Sequence, residues 1–329
     1  MTSTRAPLTR DDLSPLARAA AGPGRSLAAA ARLRGGSKKG VYRLTFDDDT
    51  TAVAYVWSPD EDFWDDGPGD PRDPFAHASG PDLFTAAYDR LSALGVRTPR
   101  LLLADDSGRH LGAAAAVVED LPGGSLEEAL RRDPDAARAR LERLAETLAV
   151  LHAQRGPALG KVGLVDNGGA SPVTSCERRV TEGALRDIAA VAVRDARIAA
   201  ARQDLEAAVR ALAAEVRPRA RHTLIHGELG PDHVLLAADG RPALIDIEGL
   251  MYFDVEWEHV FLELRFGRWY DVLRVPGLDE DRLCLYRLAM RLSLVAGPLR
   301  LLDGDYPEPG PMRAIAEHNL VRALELVGR

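Results

Sequence analysis

The sequence predicts an α+β fold with a small antiparallel sheet early in the chain and a mostly helical remainder. Three observations carry that expectation. Two runs rich in β-branched and aromatic residues, 41–46 and 51–57, flank an Asp47-Asp48-Asp49 turn. Apolar residues recur at helical spacing further along, as in Leu141, Leu144, Leu148 and Leu151, and again in Leu205, Val209, Leu212 and Val216. After those stretches, Val234-Leu235-Leu236 and Leu244-Ile245 are separated by Ala238-Asp239-Gly240, the signal of a short hairpin.

Taken in order, residues 1–34 are rich in Ala and Arg and are predicted helical from Thr9, with Asp11 and Asp12 suited to a first helical turn. The glycine-rich turn Arg34-Gly35-Gly36-Ser37-Lys38-Lys39-Gly40 leads into the first strand. Residues 58–80 break the pattern with clustered Asp, Glu, Pro and Gly, which predicts a loop or locally ordered insertion. Leu83, Phe84, Ala87, Tyr88, Leu91 and Leu94 predict a helix that stops at Gly95, and 99–103 and 114–119 read as strands. Ser125 after Pro122-Gly123-Gly124 is placed to cap a helix. A long amphipathic helix then ends at His152, 155–182 is loop-like, 183–216 is helical, and helices follow at 254–266 and 281–302.

Composition narrows the class. The chain has 329 residues, 46% of them hydrophobic, and no run near the roughly 18 apolar residues of a membrane span. Residues 1–10 lack a signal-peptide core, so the expected location is cytoplasmic. The formal charge of −8 argues against a nucleic-acid polymer as partner, since such a partner selects a basic patch. Cys176 and Cys284 are far apart and have no metal-ligand spacing, which leaves two isolated thiols.

Chemistry concentrates in Leu224-Ile225-His226-Gly227-Glu228-Leu229-Gly230-Pro231-Asp232-His233-Val234-Leu235 and Ala243-Leu244-Ile245-Asp246-Ile247-Glu248-Gly249. A hairpin brings its ends together, so Glu228, His233 and Asp246 are expected to converge. An acid for a reacting hydroxyl, plus groups able to hold a metal, is what phosphoryl transfer needs.

This arrangement resembles the catalytic segment of the aminoglycoside phosphotransferase family, within the protein-kinase-like superfamily. That family shows His-Gly-Asp-Leu, an Asn five residues after the Asp, and a hairpin ending in Ile-Asp. His226-Gly227, Leu229 and Ile245-Asp246 match, whereas Glu228 replaces the catalytic Asp and His233 the metal-binding Asn. The resemblance runs in order over about residues 30–265 and is specific by itself only over 224–258. It implies a bilobal kinase-like fold, with an antiparallel-sheet N-lobe over 1–120 and a helical C-lobe over 121–329. The hinge would fall near 119–124, where the backbone of Glu119 and Leu121 receives the adenine ring. The implied reaction moves the γ-phosphate of ATP, with Mg²⁺, to a hydroxyl of a small molecule such as an amino sugar or antibiotic-like metabolite.

The residue roles follow, each beside its plainer alternative. Glu228 is either the base for the acceptor hydroxyl or a side chain satisfying its own turn. Its extra methylene carries the carboxylate about one bond further than the family's Asp. His226 is expected to hydrogen-bond the loop backbone. Asp246 is expected to hold the metal, since Mg²⁺ prefers hard carboxylate oxygen. His233 either joins it, which suits Mn²⁺ better than Mg²⁺, or hydrogen-bonds Glu228 or Asp246. Glu248 would supply or orient a further ligand, and Asp254 would cap the following helix and brace the catalytic loop.

The small lobe departs most from the family. A kinase-like third strand carries a phosphate-binding Lys paired with a Glu on the next helix, but 53–57 holds no lysine and 81–94 no glutamate. Loss of both together is coherent, because a lone buried charge is costly. Lys38 and Lys39, beside Gly35, Gly36 and Ser37, are either the substitutes or two solvated lysines on a turn. Asp60, Glu61, Asp62, Asp65 and Asp66 around Phe63 and Trp64 either attract a cationic substrate or form a solvated insertion. The competing function is a pseudokinase, a nucleotide-binding or scaffolding module without turnover.

Overall fold

The computed structural model describes residues 5–64 and 69–328; Asp65 and Asp66 of the acid-rich stretch lie outside them. In chain order the elements open with α1 (Arg10–Ala21), β1 (Leu27–Arg32), β2 (Gly40–Phe46), β3 (Thr51–Trp57), α2 (Pro81–Ala93), β4 (Leu101–Asp105) and β5 (Ala114–Glu119). There follow α3 (Leu126–Arg132), α4 (Pro134–His152), β6 (Arg155–Gly156), β7 (Gly160–Lys161), α5 (Val162–Val165), α6 (Cys176–Ala192) and α7 (Ala196–Glu215). The chain continues through β8 (His222–Ile225), β9 (Val234–Leu236), β10 (Pro242–Leu244), β11 (Met251–Phe253), α8 (Val255–Phe266), α9 (Glu280–Leu301) and α10 (Pro309–Glu325).

These elements form two compact units. One comprises the described residues of Met1–Trp64 with His77–Thr147 and Pro231–Gly249; the other comprises those of Asp65–Ala76 with Leu148–Gly230 and Leu250–Arg329. The hairpin segment Pro231–Gly249 therefore packs with the first unit although it lies late in the sequence.

The first unit is built on a five-stranded sheet in the order β1-β2-β3-β5-β4, with every neighbouring pair antiparallel. Its core gathers Leu13, Leu16 and Ala17 of α1 with Tyr42, Leu44, Phe46, Ala54, Val56 and Val117 of the sheet. The antiparallel hairpin β9-β10 packs with this unit at the 122–124 turn: Leu236 donates its N–H to the Gly124 carbonyl at 2.9 Å. A Cβ on Gly123 would stand 2.2 Å from the Leu236 carbonyl oxygen, so only glycine fits there.

The second unit is dominated by α6, α7, α8, α9 and α10. Their core includes Val180, Ile188, Leu205, Val209, Phe253, Tyr286, Leu292 and Leu320. A small four-stranded sheet in the order β6-β8-β11-β7 lies in the same unit, and β8 runs directly into His226.

Three expectations need correction, and one helix had not been assigned. The helix from Thr9 does not reach residue 34. Thr9 caps α1 in a reciprocal capping box with Asp12, Gly22-Pro23-Gly24 ends that helix, and Leu27–Arg32 pairs with β2. Pairing across five registered positions outweighs the helix propensity of an alanine run, which tertiary context overrides. The stretch 183–216 is two helices, α6 and α7, broken where Asp195 caps the second through the Arg197 N–H at 2.8 Å. Within the loop-like 155–182, α6 already starts at Cys176. Finally, α10 is a C-terminal helix that the pattern reading did not assign.

Candidate active site

The glycine-rich turn between β1 and β2 is shaped by backbone need. Gly35 and Gly36 have φ of +85° and +77°, and a Cβ on Gly36 would lie 2.7 Å from the Lys39 carbonyl oxygen. The turn is held from outside by the acid-rich segment. Phe63 donates its N–H to the Ser37 carbonyl at 2.8 Å, the Trp64 indole donates to Ser37 Oγ at 2.8 Å, and Ser79 Oγ donates to the Lys38 carbonyl at 2.7 Å. Glu61 is buried and accepts from Arg32 Nη2 at 2.9 Å and from the Tyr42 hydroxyl. Asp62 Oδ2 lies 2.6 Å from His77 Nε2. Two of the acids expected to face solvent or a cationic substrate are thus spent inside this strap.

Within that frame Lys39 points inward. It is 7% exposed, and its Nζ donates to Asp246 Oδ1 at 2.8 Å and Glu248 Oε1 at 2.5 Å, with the Tyr55 ring centroid 5.3 Å away. Burial alone would lower the ammonium's pKa, but the charges of Asp246 and Glu248 outweigh it and raise it. Lys39 in turn holds the Asp246 carboxyl well below the usual carboxylate range, against the upward push of burial. Asp246 has φ +58°; among the described residues only it and Asp49 are non-glycine residues with positive φ. A non-glycine residue held there costs of order 1–3 kcal/mol, and such strain clusters at functional sites.

His233 and Asp246 are brought together by the hairpin. Ile245 donates to the His233 carbonyl at 3.0 Å, extending the ladder by one bond beyond β10. His233 Nε2 lies 3.9 Å from Asp246 Oδ2, too far for a hydrogen bond, so that alternative for His233 is not realised toward Asp246. Asp246 therefore turns one oxygen to Lys39 and the other toward His233. Glu248 is 3% exposed and paired with Lys39.

At the hinge, Glu119 uses its carboxylate on Arg97 Nη2 at 3.3 Å and on the Arg100 N–H at 3.2 Å, and Leu121 is buried. Asp120 accepts from Arg43 Nε of β2 at 2.7 Å, tying the hinge to the sheet. The capping role expected of Ser125 is realised: it forms a reciprocal box with Glu128 at the start of α3.

In the second unit, β8 delivers His226-Gly227-Glu228. His226 is 1% exposed, Gly227 has φ +92°, and Glu228 is exposed. The Gly227 N–H is received by Glu258 Oε2 at 2.8 Å. Burial pushes the Glu258 carboxyl up to about 7, opposed by the backbone hydrogen bonds of Gly227 and His226.

Asp254 stands at the N-cap position of α8, but its side chain makes no capping hydrogen bond. It is engaged with the Arg282 guanidinium and, at 2.5 Å, with the Tyr286 hydroxyl. The loop brace expected of Asp254 is made by Glu258, one helical turn further along the same face. The fourfold spacing of 254 and 258 was the available signal, and Gly227, which needs a partner for its N–H, was the other. The Ser37–Trp64 strap carried no signal in the sequence.

The comparisons with known proteins bear on the family and the fold. The model of a phosphotransferase enzyme family matches residues 33–290. No curated protein matches the chain. Among solved structures, a spectinomycin phosphotransferase, APH(9)-Ia, in complex with ADP and spectinomycin has a TM-score of 0.64 at 12% identity, covering 98% of each chain. The apo form of a thermostable mutant of aminoglycoside phosphotransferase APH(4)-Ia has a TM-score of 0.59 at 17% identity, covering 90% of this chain and 95% of that one. Choline kinase LicA from Streptococcus pneumoniae has a TM-score of 0.57 at 12% identity, covering 92% and 94%. No helix among the described residues is long and apolar enough to cross a membrane. With its helical second unit, its five-stranded antiparallel sheet and a family match over most of its length, the chain belongs to the phosphotransferase enzyme family and has an α+β protein-kinase-like fold.

Proposed function

We propose that this protein is an ATP-dependent phosphotransferase that places the γ-phosphate on a hydroxyl of a small molecule. The observation that carries the reading is Lys39, a buried ammonium held between Asp246 and Glu248. It supplies the cation that β3 lacks, in contact with the carboxylate expected to hold the metal. The pseudokinase alternative has no comparable observation in its favour.

The donor set suits a divalent cation. Asp246 offers hard carboxylate oxygen, Glu248 a second carboxylate and His233 an imidazole; the two acids and Lys39 together carry one net negative charge. Asp246 with His233 or Glu248 would hold Mg²⁺ or Mn²⁺, which supplies charge neutralisation on nucleotide phosphates. Lys39 and the N–H groups of the glycine-rich turn would meet those phosphates. Leu121 and Glu119 would present hinge backbone to the base.

Glu228 is the base in this reading. As the acceptor oxygen bonds to the γ-phosphorus and the bond to the bridging oxygen breaks, the hydroxyl proton passes to the Glu228 carboxylate and ADP leaves. His226, buried beside it in sequence, and Glu258, on the Gly227 N–H, hold the loop. Structures of similar fold hold hygromycin B, kanamycin and spectinomycin, which directs the acceptor search to amino sugars and related metabolites.

The test is phosphate transfer from radiolabelled ATP, and in parallel GTP, to a panel of aminoglycosides, aminocyclitols and amino alcohols. Glu228→Gln keeps the shape and removes the charge, and turnover should fall by roughly 10²-fold or more with nucleotide affinity nearly unchanged. Full activity in that variant removes Glu228 as base.

A further inference from the structure

In the described chain Lys39 fills a position between two carboxylates that a metal would also seek. Its Nζ lies 2.8 Å from Asp246 Oδ1 and 2.5 Å from Glu248 Oε1, and Glu248, 3% exposed, forms its ion pair with Lys39. The backbone behind it is pinned, because Ser79 holds the Lys38 carbonyl while Trp64 and Phe63 hold Ser37. Only the side chain is left to move, and it has four rotatable carbons with which to do so. The rest of the molecule supplies less. Cys176, His222 and Asp254 cluster in the second unit, but the Arg282 guanidinium already occupies Asp254.

We propose that Lys39 is a resident cation that competes with a divalent metal for Asp246 and Glu248. Bare metal then binds weakly, and it loads together with nucleotide, whose phosphates give the displaced ammonium a new partner. Glu248 serves as the counter-ion of Lys39 in the resting protein, the place that a helix glutamate takes in other kinase-like proteins. The inference rests on the phosphotransferase reading for the arrival of nucleotide, but its central claim concerns metal and lysine alone.

The experiment measures Mn²⁺ binding to the full chain without nucleotide, from the electron paramagnetic resonance of free Mn²⁺. Lys39→Met leaves Asp246 and Glu248 without their resident cation, so it should bind bare Mn²⁺ at least about tenfold more tightly than the wild type. Lys39→Arg keeps the charge and should stay near the wild type. Adding Asp246→Asn to Lys39→Met should erase the gain, which locates it.

A second readout uses the unmodified chain, in case Lys39→Met does not fold. Saturating Mn²⁺ should raise the acetylation rate of Lys39 relative to Lys38, read by mass spectrometry. Equal Mn²⁺ affinity in wild type and Lys39→Met, or Lys39 labelling that ignores bound Mn²⁺, overturns the competition. Phosphate transfer persisting beside such a result would leave the functional reading standing. A clear Mn²⁺ gain with no transfer to any acceptor would support the competition and count against the enzyme.

Discussion

Glu258 makes the stability of the protein depend on pH in a calculable direction. Its carboxyl is fully buried, receives the Gly227 N–H on one oxygen and, among the described residues, has no hydrogen-bond partner on the other. Burial raises its pKa from 4.5 to about 7. Below pH 4.5 the group is protonated in both folded and unfolded chains. Between 4.5 and 7 the unfolded chain gives up the proton while the native state keeps it, so stability falls as pH rises. Above 7 both are ionised and the full cost is present. A rise of roughly 2.5 units corresponds to about 3 kcal/mol, as an order of magnitude. Glu258→Gln keeps an oxygen for Gly227 and cannot ionise. Urea unfolding of both proteins at steps from pH 4.5 to 8.5 gives the difference in free energy at each pH. Wild type should lose about 3 kcal/mol relative to the variant across that window, with the change complete by about one unit above 7. A difference that stays flat with pH would refute the assignment of a buried, titrating carboxyl.

Two further substitutions test the frame. Arg282→Met should destabilise by about 3–5 kcal/mol, because it strands the Asp254 carboxylate in the core; pairing it with Asp254→Asn should recover part of the loss in urea unfolding. Gly123→Ala should cost roughly 1–3 kcal/mol in thermal or urea unfolding, since its Cβ meets the Leu236 carbonyl and either the hinge or the hairpin has to shift. Wild-type stability in Gly123→Ala would mean that the hinge and hairpin are not packed at that contact.

Much of the first unit was legible because β2 alternates and β3 is a compact run rich in β-branched and aromatic residues. Strand β3 begins and ends where the run of β-branched and aromatic residues does, and α2 stops one residue before Leu94 as the apolar spacing requires. β1 was hidden because five of its six residues are Leu or Ala, which read as helix until a partner strand is known. The split between α6 and α7 rests on one Asp cap within an otherwise continuous helical pattern. In the site, the glycine-rich turn made Lys38 and Lys39 visible as candidates, but nothing local distinguished them. The choice depends on contacts 207 and 209 residues away, at Asp246 and Glu248. The same long range explains why Glu248 reads as a metal ligand from the Ile-Asp-Ile-Glu pattern while the structure gives it to a lysine. Asp254 and Glu258 present the same ambiguity on one helix face, which only the position of Gly227 resolves.

In the proposed function the ammonium that meets phosphate sits on a turn rather than on a central strand, which changes what its aim depends on. A strand lysine is fixed by its sheet. Strand β3 is relieved of that duty and is buried from Ala52 to Trp57. A turn lysine is only as well aimed as the turn is ordered, and ordering a residue costs about 1–2 kcal/mol of backbone entropy. The hydrogen bonds from Phe63, Trp64 and Ser79 to Ser37 and Lys38 meet part of that cost before any nucleotide arrives. If Lys39 meets phosphate as proposed, preorganisation of this kind would make the Trp64 indole, which touches only the turn, part of that affinity.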